Sequence, residues 1–100
     1  MLDSHCHLDR FQNPETVAAQ AAGRGVFIVA MTNLPSHFEA GLHHARQLRR
    51  VRLSLGLHPL AAADHARELG AFERCLPSTT FVGEIGLDFS RHGKATAQRQ

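Results

Sequence analysis

The sequence lacks any long apolar run. No segment approaches the roughly 18 to 20 continuous apolar residues that a membrane helix needs, and the polar start MLDSHCHLDR has no apolar signal-peptide core. We therefore expect a cytoplasmic protein with no membrane partner. With 43% hydrophobic and 20% charged residues, the composition is that of one small globular domain over residues 1–100.

Cysteine and net charge are also scarce. Cys6 and Cys75 form no close-spaced motif and cannot make a disulfide framework, so both are expected to be reduced. A formal net charge of +2 is too small to indicate a nucleic-acid partner by itself. Histidine, in contrast, is abundant, with eight residues in the chain. The positions of these histidines therefore need an explanation one by one.

Segments with strand and helix patterns alternate along the chain. After the opening segment, apolar runs predict strands at 26–32, 51–58 and 79–88. Helices are predicted from Pro14 to about Ala22, from a Ser36–Glu39 capping box to residue 49 or 50, and from a cap at Asp64 to Pro77. This order predicts βα units in a parallel sheet. Three units and a fourth strand fit either a small open α/β sheet or less than half of an eight-stranded barrel, which takes about 250 residues.

Polar residues gather where the predicted strands end. His5 and His7 end the first strand, His58 ends the third, and Glu84 and Asp88 end the fourth. In parallel α/β proteins the active site lies at the carboxyl ends of the strands. These five residues are therefore candidates for a functional site.

Strict alternation along a strand predicts which side chains share a face. In the first strand it groups four polar residues, Asp3, His5, His7 and Asp9. In the third it groups Ser54, Gly56 and His58, and in the fourth it groups Val82, Glu84, Gly86 and Asp88. The opposite faces, which include Cys6 and most of the leucines, are expected to pack on helices.

The residue types on the polar faces indicate metal binding. Two neutral imidazoles at i and i+2 of a strand can bind one cation, and Glu84 completes a set of two histidines and one acid or bridges two cations. The alternatives are hydrogen-bonded histidines at the rim and an ion-paired carboxylate. His58 either contacts a substrate phosphate or supports a ligand, or else closes its strand before Pro59. Asp88 either orients a ligand or a water, or caps the following turn.

Three stretches, DSHCHLD, GLHPL and VGEIGLD, resemble the N-terminal signatures of the TatD-like metal-dependent hydrolases of the amidohydrolase superfamily. The resemblance implies a TIM barrel that binds one or two divalent cations, zinc, magnesium or manganese. It implies His5 and His7 as ligands from strand one and Glu84 as the ligand from strand four, best placed to be shared between two cations. The implied reaction is hydrolysis of phosphodiester bonds in DNA.

Arg10 and Arg91 follow strands one and four and are placed to meet a phosphate backbone. The family's remaining ligands, two histidines and an aspartate, come from later strands, and this chain ends before any of them. We therefore expect the N-terminal part of a barrel, without a complete binuclear site of its own, whose open sheet edge is covered by the remainder of the barrel or by a partner protein.

The stretches MTNLPSHF and GLHPL look most like TatD-like members encoded in Qat anti-phage cassettes, which implies a setting in phage defence. Two alternative functions remain open. An enzyme of the same superfamily acting on an ester, a lactone or an amide would use the same ligands. A noncatalytic half-barrel would instead dock on a partner chain through its open sheet edge.

Overall fold

The computed structural model describes residues 1–100, and its four parallel strands curl into a half-barrel, the N-terminal part of a TIM barrel. The strands neighbour one another in chain order as β1 (Leu2–Cys6), β2 (Phe27–Met31), β3 (Val51–Leu57) and β4 (Phe81–Ile85). The connecting helices are α1 (Pro14–Gly23), α2 (Pro35–Gln47) and α3 (His65–Cys75). The predicted fold class and element order are thus confirmed. None of the helices combines the length and the hydrophobicity needed to span a membrane.

The core lies between the sheet and the helices. One cluster joins α1 to the sheet and consists of Leu8, Ala18, Ile28, Ala30 and Val51, with Cys6 packed against it. A second cluster joins α2 and α3 to β3 and consists of Phe38, Leu55 and Cys75. Both cysteines are free, as expected, and both pack on the helix side of the sheet.

A β-bulge interrupts the pairing of β1 with β2. Asp3 pairs with Ile28, and the two residues Ser4 and His5 then lie opposite the single residue Val29. Because Ile28 belongs to the helix-side core, Asp3 lies on the helix side of the sheet, and the predicted shared face of Asp3 and His5 is wrong. The Asp3 carboxylate instead accepts a hydrogen bond from the backbone N–H of His5 at 3.2 Å. Strict alternation failed here because a bulge adds one residue to the strand.

A second bulge interrupts the pairing of β3 with β4, where Gly83 and Glu84 lie opposite Gly56. Before the bulge, Val82 pairs with Leu55 of the helix-side core, so the predicted grouping of Val82 with Glu84 is wrong. The predicted alternation is confirmed in β3, where Ser54 is fully buried on the inner side and Leu55 on the helix side.

The fourth strand is shorter than the predicted segment 79–88 and ends at Ile85. Gly86 follows with a positive φ of 129°, a conformation that favours glycine and ends the strand. Asp88 therefore lies in the loop beyond the strand.

The first turn of α2 is stabilised by another helix. The predicted capping box of Ser36 and Glu39 is wrong, because α2 begins at Pro35 and both the backbone N–H and the hydroxyl of Ser36 donate to the Glu68 carboxylate of α3, at 3.0 and 2.8 Å. Asp64 precedes α3 as predicted, but its side chain makes no capping bond to the helix. It pairs with Arg67 instead.

Helix α2 also ends earlier than predicted, at Gln47. Arg50 has a positive φ of 63°, which a right-handed helix cannot include.

Candidate metal centre

The curl of the sheet brings the first and fourth strands together at one point. In a flat sheet β1 and β4 would lie about 14 Å apart, three strand spacings of about 4.8 Å. In the structure, however, Nε2 of His5 lies 3.5 Å from Oε1 of Glu84. His5 and Glu84 both lie in the bulges described above, and bulges characteristically redirect side chains next to active sites.

His7, directly after β1, completes the cluster. Its Nε2 lies 3.5 Å from Oε2 of Glu84, so each imidazole faces a different carboxylate oxygen. One ligand atom from each of the three residues lies within 4.8 Å of the others. The two imidazole rings are 5.4 Å apart between centroids and nearly perpendicular, at 75°. Three of the predicted site residues are thus brought together.

The distances in this cluster fit a shared cation better than direct hydrogen bonds. Oε2 of Glu84 is buried and has no hydrogen-bond partner, and a separation of 3.5 Å exceeds the usual N–H···O range of 2.7–3.2 Å. Tetrahedral zinc with bonds of 2.0–2.1 Å holds its ligand atoms about 3.3 Å from one another. His5, His7 and Glu84 can therefore hold a divalent cation with small side-chain movements.

His58 lies at the edge of the same cluster with its ring fixed by the backbone. Its Nδ1 accepts a hydrogen bond from the N–H of Leu60 at 3.1 Å. A neutral imidazole that accepts at Nδ1 carries its proton on Nε2, and this Nε2 lies 3.9 Å from Oε1 of Glu84. His58 thus presents a donor to the site, whereas a metal ligand would present a free lone pair.

The three remaining predicted site residues lie outside the cluster. Oδ1 of Asp88 accepts a hydrogen bond from the N–H of Ser90 at 2.7 Å. The Ser90 side chain first, and this backbone N–H second, hold the pKa of Asp88 below its usual value. Arg10 and Arg91 are exposed, and neither forms a salt bridge within the chain.

Asn33 is a residue at the rim that the sequence analysis did not select. Its backbone oxygen accepts a hydrogen bond from the N–H of His58 at 2.8 Å, and its side-chain oxygen is buried without a partner. Asn33 follows the end of β2 closely, so the rule that selected His7 and His58 applies to it equally well.

Cys6 lies between the two histidines in sequence but does not join the cluster. Burial, and secondarily the nearby Asp3 and Asp9 carboxylates, raises the pKa of the Cys6 thiol. A protonated thiol packed in the helix-side core is a poor metal ligand.

Comparison with known proteins adds one match. The family model described as TatD related DNase matches residues 2–100, which include every residue of the cluster. No curated protein matches the chain.

Proposed function

Because this chain belongs to the family of TatD-related DNases, we propose that it is a metal-dependent hydrolase of phosphodiester bonds in DNA, with residues 1–100 forming the N-terminal part of one barrel domain. The single observation that carries metal dependence is the buried, unpartnered Oε2 of Glu84 beside two imidazoles. The proposed ligands are His5, His7 and Glu84. Glu84 can also be shared between two cations, since each of its oxygens faces a different histidine.

The chemistry of the donors narrows the choice of cation. Imidazole nitrogen suits zinc and other transition metals, whereas magnesium prefers oxygen donors alone. Zinc is therefore favoured over manganese and magnesium at this set of two nitrogens and one carboxylate. When bound, such a cation would make a water molecule a stronger nucleophile and withdraw charge from the phosphoryl oxygens.

The residues around the cluster are assigned supporting roles. The proton on Nε2 of His58 points to the site, so His58 is proposed to donate to a phosphoryl oxygen of the substrate. Arg10 and Arg91, exposed and without acidic partners, are proposed to contact the DNA backbone. Asp88 is proposed to hold the turn at Ser90 that carries Arg91.

The biological setting is a further part of the proposal. The stretches MTNLPSHF and GLHPL support a role in phage defence, as in the Qat-encoded members of the family. The cytoplasm is the proposed location. Three protein ligands form only part of a binuclear site, so we expect cleavage by the 100-residue chain alone to be slow or absent.

The activity is tested by incubating the purified chain with supercoiled and linear DNA, with zinc, manganese or magnesium, and with a chelator. Any cleavage by the chain is expected to require a cation and to be lost in Glu84→Gln. The matched control, Glu73→Gln, removes an exposed carboxylate of α3 and should cleave normally. Nicking of the supercoiled substrate distinguishes internal cleavage from attack at ends.

Two results would contradict the proposed activity. Metal-dependent turnover of a carboxylic ester or a lactone, with DNA left intact, would assign the site to another reaction of the superfamily. Equal DNA cleavage by the wild-type chain and by Glu84→Gln would assign the cleavage to a contaminating nuclease.

A further inference from the structure

A second cavity lies at the opposite end of the sheet from the candidate metal centre. It has a volume of about 340 Å³ and lies where α2 ends, β3 begins and the chain enters β4. We call it the basal cavity. Because β3 is an inner strand, with β2 and β4 on either side, the cavity lies between elements that this chain itself supplies. Its polar lining consists of Arg46, Arg52, Ser78, Thr79 and Thr80.

The positive charge at the basal cavity has no acidic partner. Four arginines lie between residues 46 and 52. None of them takes part in an ion pair within the chain, and no carboxylate lines the cavity. The dipole at the end of α2 supplies only about half a negative charge against these four positive charges. The helix end therefore balances only a small part of the charge.

Several hydrogen-bond donors in the cavity are free. Nη1 of Arg52 donates to the backbone oxygen of Val51 at 2.8 Å, which holds the guanidinium in place and leaves its other N–H groups available. The side chains of Arg46, Ser78 and Thr80 make no hydrogen bond within the chain. Donors without acceptors, on a positively charged wall, favour an anionic ligand.

The floor of the basal cavity is apolar. Phe38 and Val51 line it, and each is only 1% exposed. An apolar floor lowers the local dielectric constant and so strengthens the attraction between a guanidinium and an anion. Guanidinium groups also present paired N–H donors that match two oxygens of a phosphate group. The volume lies at the lower end of the range for small-ligand pockets, about 300–1,000 Å³, which suits a small anion.

We propose that the basal cavity binds a phosphate group, held by the guanidinium groups of Arg46 and Arg52 and by the hydroxyls of Ser78 and Thr80. Arg52 lies near the start of β3 and His58 directly after its end. At about 3.3 Å per residue, the two sites are roughly 20 Å apart. A phosphate group held here is therefore too distant to react at the candidate metal centre.

The phosphate group can belong to a free anion or to a nucleic-acid strand that passes this end of the sheet. The chemistry of recognition is the same in both cases, because guanidinium and hydroxyl donors contact phosphate oxygens alone. The inference rests on the basal cavity, and it holds whether or not the metal centre cleaves DNA.

Calorimetric titration with inorganic phosphate tests the proposal, with chelator present so that phosphate cannot bind through a cation. The variant Arg46→Gln/Arg52→Gln removes both charges from the cavity. We expect it to bind phosphate at least about tenfold more weakly than the wild-type chain, because charge-assisted hydrogen bonds are lost. Its circular dichroism should remain that of a folded chain, since both arginines are exposed.

Two controls locate the binding. Arg24→Gln removes an exposed arginine that directly follows α1, has no ion-pair partner and lies outside the cavity. Glu84→Gln changes the candidate metal centre alone. Both variants should bind phosphate as the wild-type chain does.

A short single-stranded DNA oligonucleotide distinguishes the two sources of the phosphate group. If a strand is the ligand, Arg46→Gln/Arg52→Gln should also weaken oligonucleotide binding. The slope of log K against log salt concentration should then fall by about 1.4, about 0.7 for each lost contact. Weakened binding of phosphate with unchanged binding of the oligonucleotide would identify a free anion as the ligand.

Three results would overturn the proposal. The wild-type chain could bind neither probe, or Arg46→Gln/Arg52→Gln could bind both as tightly as the wild-type chain does. Arg24→Gln could weaken phosphate binding as much as the double variant, which would show an effect of net charge alone. Loss of phosphate binding in Glu84→Gln, with binding retained in Arg46→Gln/Arg52→Gln, would place the phosphate at the metal centre instead.

Discussion

The buried carboxylate of Glu84 suits cation binding but is expected to lower the free energy of unfolding of the metal-free chain. Its Oε2 is buried without a hydrogen-bond partner, and an unsatisfied buried polar group costs about 1–3 kcal/mol. The same oxygen faces His7 at a distance that suits a shared cation. A bound cation is therefore expected to offset this cost.

The substitution Glu84→Gln tests this balance. We expect the affinity for zinc to fall at least about tenfold by calorimetry, because a charged ligand is lost. In chelator, the free energy of unfolding should rise by about 1 kcal/mol, since a neutral amide costs less to bury than a carboxylate. Urea unfolding followed by circular dichroism gives the second value.

Glu73→Gln is the control, and it should change neither the zinc affinity nor the stability. A loss of stability for Glu84→Gln in chelator would mean that the carboxylate stabilises the metal-free chain.

Some site residues could be found in the sequence, and others could not. His5, His7 and Glu84 follow from one rule, that polar residues at the carboxyl ends of parallel strands meet at one edge. The proposed donor role of His58 depends on a hydrogen bond from Leu60, and so on the local turn that follows β3. Sequence spacing gives no information on which ring nitrogen of a histidine accepts a hydrogen bond from the backbone of such a turn.

At the scale of elements, the start of α1 was predicted correctly and the start of α2 was not, although a proline begins both helices. Pro14 begins α1 as predicted, since a proline at the first helical position needs no hydrogen-bond acceptor. The start of α2 was misjudged because Glu68, 32 residues away from Ser36 in the chain, replaces the local capping residue. The bulges were missed for a related reason, since the alternation rule assumes a regular strand.

Glu68→Ala tests the link between α2 and α3. It removes both acceptors of Ser36, and we expect a loss of roughly 1 kcal/mol in the free energy of unfolding, as for other helix N-terminal partners. Glu73→Ala, an exposed residue of the same helix, should cost less than half of this. If Glu68→Ala costs no more than Glu73→Ala in urea unfolding, the bonds from Ser36 to Glu68 do not stabilise the start of α2.

Gly56 is required by the close approach of β2 and β4. A Cβ at this position would overlap the carbonyl oxygen of Thr32 and lie 3.5 Å from the backbone oxygen of Glu84. We expect Gly56→Ala to lower the free energy of unfolding by about 1–3 kcal/mol, because backbone atoms must move. The displacement should also weaken zinc binding, measured by calorimetry.

Gly70 provides the matched control in α3. A Cβ there meets only the end of the Arg74 side chain at 3.6 Å, so Gly70→Ala should raise the free energy of unfolding by up to about 1 kcal/mol. If Gly56→Ala and Gly70→Ala change the free energy of unfolding equally, the strands on either side of β3 tolerate a side chain at Gly56.

At the scale of the whole molecule, the curl of the sheet is what brings the proposed metal ligands together. The alternation of strands and helices predicted a parallel sheet, but it also allowed a small open sheet. Only the curl, which brings His5 to within 3.5 Å of Glu84 across three strand spacings, distinguishes a half-barrel from that alternative. Curvature depends on how all the strands twist and pack together, so no short segment of sequence determines it.

The most direct test of the account is the metal content of the chain purified without chelator, measured by plasma mass spectrometry. The double variant His5→Ala/His7→Ala removes two proposed ligands, and His43→Ala/His44→Ala removes two exposed histidines of α2 as a control. We predict at least one divalent cation per chain in the wild-type protein and in the control. We predict no bound cation in His5→Ala/His7→Ala. Equal metal content in all three proteins, or no metal in any of them after addition of zinc, would contradict a metal centre at His5, His7 and Glu84.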